Sequence, residues 1–162
     1  MLDRAARLLL AGACFVGGAV ACDDGGPTRP TPVETMVAPE SILGRTVTAT
    51  INETHTRCTA PPGSVIRYHF EDEGRARAVR TDGLFDDGAT DWSYVRTGAR
   101  SAEIQITWAN GGRSEIELAF SVDDRGTFEQ WDTAASGEVY CGDVTRLHYR
   151  GDFVVRLGAA SE

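Results

Sequence analysis

The sequence predicts an all-β domain, most simply a small antiparallel up-and-down β-barrel of about eight strands. Over residues 41–158, short runs rich in Val, Ile, Thr and aromatic residues alternate with Gly and Asp turns at intervals of roughly ten residues. No amphipathic helical pattern interrupts them. A meander of this kind has to close or fold over to protect its edge strands, which leaves a two-sheet β-sandwich as the alternative.

The chain begins with a pattern typical of an export signal. Arg4 and Arg7 form a short basic start, an apolar stretch follows over residues 8–20, and small residues precede Cys22. The apolar stretch is shorter than the roughly 20 residues that a transmembrane helix needs. We therefore interpret residues 1–21 as a cleaved export signal.

The end of this leader, Ala19-Val20-Ala21-Cys22, resembles the bacterial lipobox. The resemblance implies that the Cys22 thiol carries a diacylglyceryl group and that acylated Cys22 anchors the mature protein in a lipid bilayer. That anchor would place the protein on the outer face of the cytoplasmic membrane, or in the periplasm or outer membrane. An ordinary secretory signal remains the alternative, because Ala19 and Ala21 also satisfy the small-x-small cleavage rule, and the product would then be soluble and secreted.

Residues 22–40 predict a disordered tether, because they are rich in Gly, Pro and Thr and contain almost no large apolar side chain. Pro27, Pro30, Pro32 and Pro39 are typical of such a segment. The single β domain then spans residues 41–158, and residues 159–162 form a short tail.

The clearest strand pair lies within residues 102–122. Apolar and polar residues alternate from Ala102 to Trp108 and again from Ile116 to Val122, and Asn110-Gly111-Gly112 lies between them. Alternation on both sides of an Asn-Gly turn is a strong hairpin signal. We expect further strands at residues 45–54, 65–71, 75–81, 91–97, 126–132, 138–141 with a continuation to 149, and 152–157.

Part of this pattern resembles a β-meander unit of bacterial secreted and surface proteins, which has a Trp-x-Tyr strand, an alternating hairpin and a closing Gly-Thr-aromatic strand. The resemblance implies architecture rather than activity. The pattern is also similar, more distantly, to calycin-like barrels. However, Gly44-Arg45-Thr46 stands where lipocalins carry Gly-x-Trp, so this similarity does not imply ligand transport. The matching residues are Trp92-Ser93-Tyr94, Thr97-Gly98, Ala102, Leu118-x-Phe120 and Gly126-Thr127-Phe128.

Two cysteines, Cys58 and Cys141, remain for the folded domain once Cys14 is assigned to the leader and Cys22 to the anchor. In an oxidising compartment such a pair is expected to form a disulfide. The alternative is a tetrahedral zinc site in which His55 and His148 join the two sulfur atoms. The spacing matches no zinc motif, so we predict the disulfide and no metal.

Composition and charge narrow the function classes. The formal net charge is −8, and all 16 basic residues are arginines. An acidic surface repels nucleic acid, so we expect no nucleic-acid partner. The absence of lysine excludes Schiff-base chemistry on a lysine side chain.

No catalytic signature is found in the sequence. It lacks a Gly-x-Ser-x-Gly elbow, and His55, His69 and His148 have no spacing that marks a catalytic base. We therefore predict no catalytic residue, no cofactor and no enzyme activity, with an unrecognised hydrolase as a remote alternative.

The function predicted from the sequence is that of an envelope lipoprotein whose barrel is a protein-interaction or structural module. Trp92, Tyr94 and Trp131 are the candidate recognition aromatics. The alternative is a barrel that binds a small apolar ligand. Bulky inward residues favour a filled core, whereas a ligand-binding barrel needs an open mouth with a few convergent polar groups. The predicted inward residues are bulky: Ile104, Ile106, Trp108, Ile116, Leu118 and Phe120.

Overall fold

Eight antiparallel strands follow one another in chain order around a closed barrel in the computed structural model. The structure describes residues 38–72, 74–81 and 86–158. The predicted up-and-down barrel is confirmed, and the two-sheet sandwich is not what forms. The strands are β1 (Arg45–Thr54), β2 (Val65–Asp72), β3 (Arg75–Arg80), β4 (Asp86–Arg96), β5 (Ser101–Trp108), β6 (Arg113–Val122), β7 (Arg125–Thr133) and β8 (Arg146–Leu157).

The hairpin of β5 and β6 forms as predicted. Ile104 lies opposite Ile116, which places the apolar residues of both strands on the same face. At the turn, the side-chain oxygen of Asn110 accepts a hydrogen bond from the Gly112 N–H at 2.8 Å. Gly111 has a φ of 86°, a conformation that glycine adopts without steric cost.

Two strand predictions are wrong. Residues 138–141 do not form a strand: the Tyr140 N–H bonds to the Val144 carbonyl at 2.7 Å, and the chain turns back on itself there. The separate strand predicted at residues 152–157 is the second half of β8, which is long because it pairs with β7 on one side and β1 on the other. In addition, β4 begins at Asp86, before the predicted start, because its first residues pair with β3.

The barrel core follows the period of two. All six predicted inward residues are buried, including Trp108. Phe120 and Phe153 meet edge to face with ring centroids 4.9 Å apart, an arrangement that aromatic quadrupoles favour. The middle of the barrel is therefore filled by side chains, as eight-stranded barrels allow.

Barrel closure depends on a close backbone approach at Gly151. This residue lies in β8 opposite Ile51 of β1 and Phe128 of β7. A Cβ at this position would overlap the Thr50 carbonyl oxygen and press on the Phe128 ring. Only glycine leaves room for both neighbours, and β1 carries a register shift just beyond this point, between Ile51 and Glu53.

The two ends of the barrel differ in what covers them. We call the end where β1 starts the sealed end, because residues 38–44 lie across it and bury Ile42 completely. The Ala38 N–H bonds to the Ala99 carbonyl at 2.8 Å, and Gly44 bonds to Phe70 in the same way at 2.7 Å. We call the opposite end, where residues 55–64 and 134–145 connect strands, the open end. Within the described residues, no helix is long and apolar enough to cross a membrane.

Candidate functional site

The open end contains a cavity of about 310 Å³. Its walls come from β2, β3, β5, β6, β7 and β8, and its rim includes Val139 and Tyr140. Both rim residues are exposed large apolar side chains, which places the mouth of the cavity at the solvent. The volume is at the lower limit for small-molecule pockets, which span about 300–1,000 Å³.

The disulfide between Cys58 and Cys141 holds the cavity wall together. It joins the two open-end loops, residues 55–64 and 134–145, with Cα atoms 6.1 Å apart. This confirms the predicted pairing and rules out the zinc alternative, since both sulfur atoms are bonded to each other. No group of three or more potential metal-ligating side chains occurs among the residues that the structure describes.

Polar side chains converge at the bottom of the cavity, and we call them the polar floor: Tyr68, Trp108, Ser114, Gln130, Asp132 and Tyr149. The Trp108 indole N–H donates to the Ser114 hydroxyl oxygen at 2.7 Å. Ser114 in turn donates to Oδ1 of Asp132 at 2.6 Å. These three groups form a chain of hydrogen bonds that ends on the carboxyl.

A second chain reaches the same oxygen from the opposite wall. The Tyr68 hydroxyl donates to Oε1 of Gln130 at 2.8 Å. The Gln130 amide nitrogen then donates to Oδ1 of Asp132 at 2.8 Å and, more weakly, to the Tyr149 hydroxyl at 3.4 Å. Tyr68 and Gln130 are both almost fully buried, so the floor is fixed in one arrangement.

Burial controls the ionisation of this floor. It raises the pKa of Asp132 to about 6, against the opposing effect of hydrogen bonds from Ser114 and Gln130. Burial also raises the pKa of Tyr68 well above its ordinary value. Perturbed groups that converge in a pocket are typical of binding and active sites.

The sequence analysis did not single out Ser114, Gln130 or Asp132. A signal was present, because Ser114 continues the inward row of Ile116 and Leu118 in β6. Gln130 and Asp132 continue the inward row of Phe128 in β7 in the same way. Polar residues at inward positions near one end of adjacent strands are the pattern by which such a floor can be found.

Two of the predicted recognition aromatics lie at the sealed end. Trp92 packs on Phe70 with ring centroids 4.8 Å apart, and its indole N–H donates to the Asp72 carbonyl at 2.9 Å. The Tyr94 hydroxyl donates to the Pro39 carbonyl at 2.7 Å. Tyr94 is thus bonded to the segment of residues 38–44, and Trp92 is bonded to the end of β2, where the chain turns into β3.

The third, Trp131, lies on the outer face of the barrel in what we call the outer stack, which consists of Trp131, His148, His55 and Arg146. The rings of Trp131 and His148 are nearly parallel, with centroids 5.0 Å apart, and His55 stacks on His148 at 4.6 Å. The Arg146 guanidinium lies 5.7 Å from the centre of the Trp131 ring.

A wider groove of about 730 Å³ runs over the outer faces of β5 to β8 beside this stack. Glu103, Glu117 and Glu129 lie in register on three adjacent strands along it. Of these, Glu129 accepts hydrogen bonds from Arg150 at 2.6 Å and His148 at 2.7 Å. The hydrogen bond from Arg150 is the main cause that lowers the pKa of the Glu129 carboxyl. This groove carries a row of three glutamates, whereas the cavity is lined in part by tyrosine and tryptophan side chains.

Several predictions concern residues outside the described part of the chain. These are the export signal at residues 1–21, the lipidation site Cys22, most of the tether and the tail at residues 159–162. The last tether residues, 38–40, are described and contact the barrel: Arg96 pairs with Glu40 at 3.0 Å beside the Tyr94–Pro39 hydrogen bond. No protein-family model, curated protein or solved structure matches the chain.

Proposed function

We propose that this protein is a small-molecule-binding barrel that is exported and held at a membrane surface through acylated Cys22. The observation that carries the binding proposal is the cavity of about 310 Å³ with a polar floor at the open end. An open mouth with a few convergent polar groups is the feature that separates a binding barrel from a filled one. Bulky side chains fill the middle of the barrel in the part of the chain that the structure describes, so we assign binding to the open end.

The polar floor also favours a polar ligand over an apolar one. A ligand that fills the cavity covers Asp132 and the Tyr149 hydroxyl, and each of these groups needs a hydrogen-bonding partner when water is excluded. The volume equals that of about ten water molecules in the liquid, which limits the ligand to a small molecule or one group of a larger one.

Ligand-observed saturation-transfer NMR with a library of small polar fragments tests this proposal on the exported full-length chain. We expect hits whose signals disappear in an Ala135→Trp variant, because Ala135 lines the cavity and an indole there would occupy it. The matched control is Ala119→Trp, since Ala119 is exposed in the outer groove. If binding of the hits is lost in Ala119→Trp but kept in Ala135→Trp, the binding site lies on the outer face and not in the cavity.

The membrane anchor has a separate test. We expect the chain expressed from its own leader to begin at Cys22, to carry acyl mass and to partition with membranes, whereas a Cys22→Ala variant stays soluble. Because several acyl chains contribute about 0.8 kcal/mol per buried methylene, partitioning should be nearly complete. An unmodified, soluble wild type would identify a secreted barrel instead.

A protein-interaction or structural module of the envelope is the second candidate function. The outer stack and the acidic groove beside it favour it, because Trp and Arg contribute much of the binding energy at protein interfaces. In this case a Trp131→Ala variant should lose a cross-linked envelope partner that Ala135→Trp retains. Loss of the partner in Ala135→Trp alone would assign it to the cavity.

A further inference from the structure

The hydrogen bonds of the polar floor all have a defined direction. An indole N–H can only donate, so the Ser114 oxygen accepts from Trp108 at 2.7 Å and the single Ser114 proton goes to Asp132. The short distance of 2.6 Å between Ser114 Oγ and Asp132 Oδ1 suits a hydroxyl that donates to a carboxylate.

The Gln130 chain has the same direction. Its Oε1 accepts from Tyr68, so the amide nitrogen faces Asp132 and donates to Oδ1. The amide nitrogen is also 3.4 Å from the Tyr149 oxygen, which accepts and leaves the Tyr149 proton free to point elsewhere in the cavity. Two donor chains therefore end on one carboxyl oxygen, an arrangement that stabilises the ionised form of Asp132.

Among the described residues, the two hydrogen-bond donors to Asp132 are both neutral. Ser114 and Gln130 supply dipoles but no positive charge, while burial disfavours the carboxylate and raises its pKa to about 6. At pH 7 the side chain is still ionised in roughly nine molecules of ten. A desolvated carboxylate with neutral partners gains most from a cation that replaces the lost water.

Several aromatic side chains line the same cavity as this carboxylate, and we call them the aromatic walls. Tyr68 and Trp108 line the cavity with ring centroids 6.5 Å apart, and Tyr140 and Tyr149 line it from the β7–β8 side. Aromatic faces attract organic cations, and the attraction grows when water is excluded. These aromatic side chains therefore favour the same sign of ligand charge as the Asp132 carboxylate.

We propose that the cavity recognises a small organic cation with N–H donors, such as a primary ammonium group, which pairs with the Asp132 carboxylate and lies against the aromatic walls. This inference rests on the proposed function and specifies its ligand class. The Tyr149 hydroxyl is placed to donate a hydrogen bond to an acceptor on the same ligand.

Other titratable or charged groups also face the cavity. Tyr68 faces it from β2, Arg80 from β3, Tyr149 from β8, and Glu138 and Tyr140 from the β7–β8 loop. Burial raises the pKa of Tyr140 as well as that of Tyr68, so both stay neutral in the range where Asp132 titrates.

Three probes of similar size and different charge test the proposal: benzylamine, benzyl alcohol and benzoate. Affinities are measured by ligand-observed NMR titration on the exported full-length chain, with Ala135→Trp to confirm that binding is in the cavity. We expect benzylamine to bind at least tenfold more tightly than benzyl alcohol at pH 7.5, and benzoate to bind most weakly.

The decisive variant is Asp132→Asn, which keeps the side-chain oxygen that accepts from Ser114 and Gln130. We expect it to weaken benzylamine binding at least tenfold and to change benzyl alcohol binding less than twofold. Asp123→Asn is the control, because it removes an exposed carboxylate in the β6–β7 turn at the sealed end, and it should leave the preference for benzylamine intact.

Wild-type protein provides a second measurement that requires no substitution. Benzylamine affinity should fall below pH 6 by up to tenfold per pH unit, as Asp132 becomes protonated, while benzyl alcohol affinity stays constant.

The outcomes separate the two proposals. Equal or tighter cavity binding of benzyl alcohol or benzoate would overturn the cation class and leave the binding barrel intact. The same conclusion follows if none of the three binds but other library fragments do. If no fragment of the library binds in the cavity, both proposals fail.

Discussion

The two ends of the barrel use the same kinds of side chain for different purposes. At the sealed end, the Tyr94 hydroxyl and the Trp92 indole bond to backbone carbonyls, and their rings pack against the hydrophobic core, which at this end includes a plug formed by residues 38–44 with Ile42 buried beneath it. At the open end, Tyr68 and Trp108 bond to side chains that lead to Asp132. The difference teaches that aromatic content alone does not locate a binding site. The two ends differ in the partner of the polar atom: a backbone partner completes the fold, whereas a side-chain partner that is itself bonded to an ionisable group can serve a ligand.

Removal of the disulfide should have the largest effect. A Cys58→Ser, Cys141→Ser double variant should lose about 4.5 kcal/mol of unfolding free energy, because the bond closes a loop with a sequence separation of 83 residues in the unfolded chain. Urea denaturation measures the loss, and reduced wild type should match the variant. The open-end loops should also lose hydrogen-exchange protection before the sealed end does. An unchanged denaturation midpoint would contradict the assignment.

The plug of the sealed end is the next largest contribution. Ile42→Ala should cost about 3 kcal/mol, because Ile42 is 0% exposed and its truncation leaves a cavity under residues 38–44. Its neighbour Leu43 is 47% exposed, so Leu43→Ala should cost less than about 0.5 kcal/mol in the same urea titration. Similar costs for both variants would mean that the segment does not seal the barrel. Neither substitution should change ligand binding at the open end.

The charge of the open end should make stability depend on pH. The folded-state pKa of Asp132 is about 6, above its ordinary value of 3.8, so the folded protein holds the proton longer than the unfolded chain. Unfolding free energy should therefore fall by about 2–3 kcal/mol as the pH rises from about 4 to about 6, and then level off.

Asp132→Asn isolates this contribution, because the difference between its stability curve and that of the wild type cancels the other titrating groups. The variant should become the more stable protein at pH 7. Asp143→Asn, with a side chain that is 87% exposed, is the control. Its unfolding free energy should change between pH 4 and pH 7 in parallel with that of the wild type. A gap between the wild-type and Asp132→Asn curves that does not change from pH 4 to pH 7 would contradict a raised pKa.

The smallest effect comes from removing one hydroxyl at each end. Tyr94→Phe loses the bond to the Pro39 carbonyl and should cost about 1 kcal/mol. Tyr68→Phe leaves Oε1 of Gln130 without its donor and should cost about 1.5 kcal/mol. Only the Tyr68 variant should also weaken fragment binding in saturation-transfer NMR. Weaker binding in Tyr94→Phe would show that the two ends are coupled.

Strands and turns were largely readable from the sequence, because a period of two and an Asn-Gly turn depend on neighbouring residues. β1 and the β5–β6 hairpin lie where they were predicted, and the inward set is buried as expected. Residues 138–141 were predicted as a strand because Val139 and Tyr140 are typical of strands, whereas the turn at Tyr140–Val144 leaves them no neighbouring strand to pair with. The disulfide was predicted by elimination among four cysteines rather than from geometry.

The cavity, the floor and the roles of the aromatics were not readable in this way. Tyr68 and Gln130 are 62 residues apart, and they meet only because β1 pairs with β8 and closes the barrel. The contact between Trp92 and Phe70 likewise depends on how separate strands are placed around the barrel. Local patterns specify which face of a strand a side chain occupies, whereas its partner across the barrel depends on register and closure. The pKa of Asp132 follows from that closure too, because burial exists only once all the walls are in place.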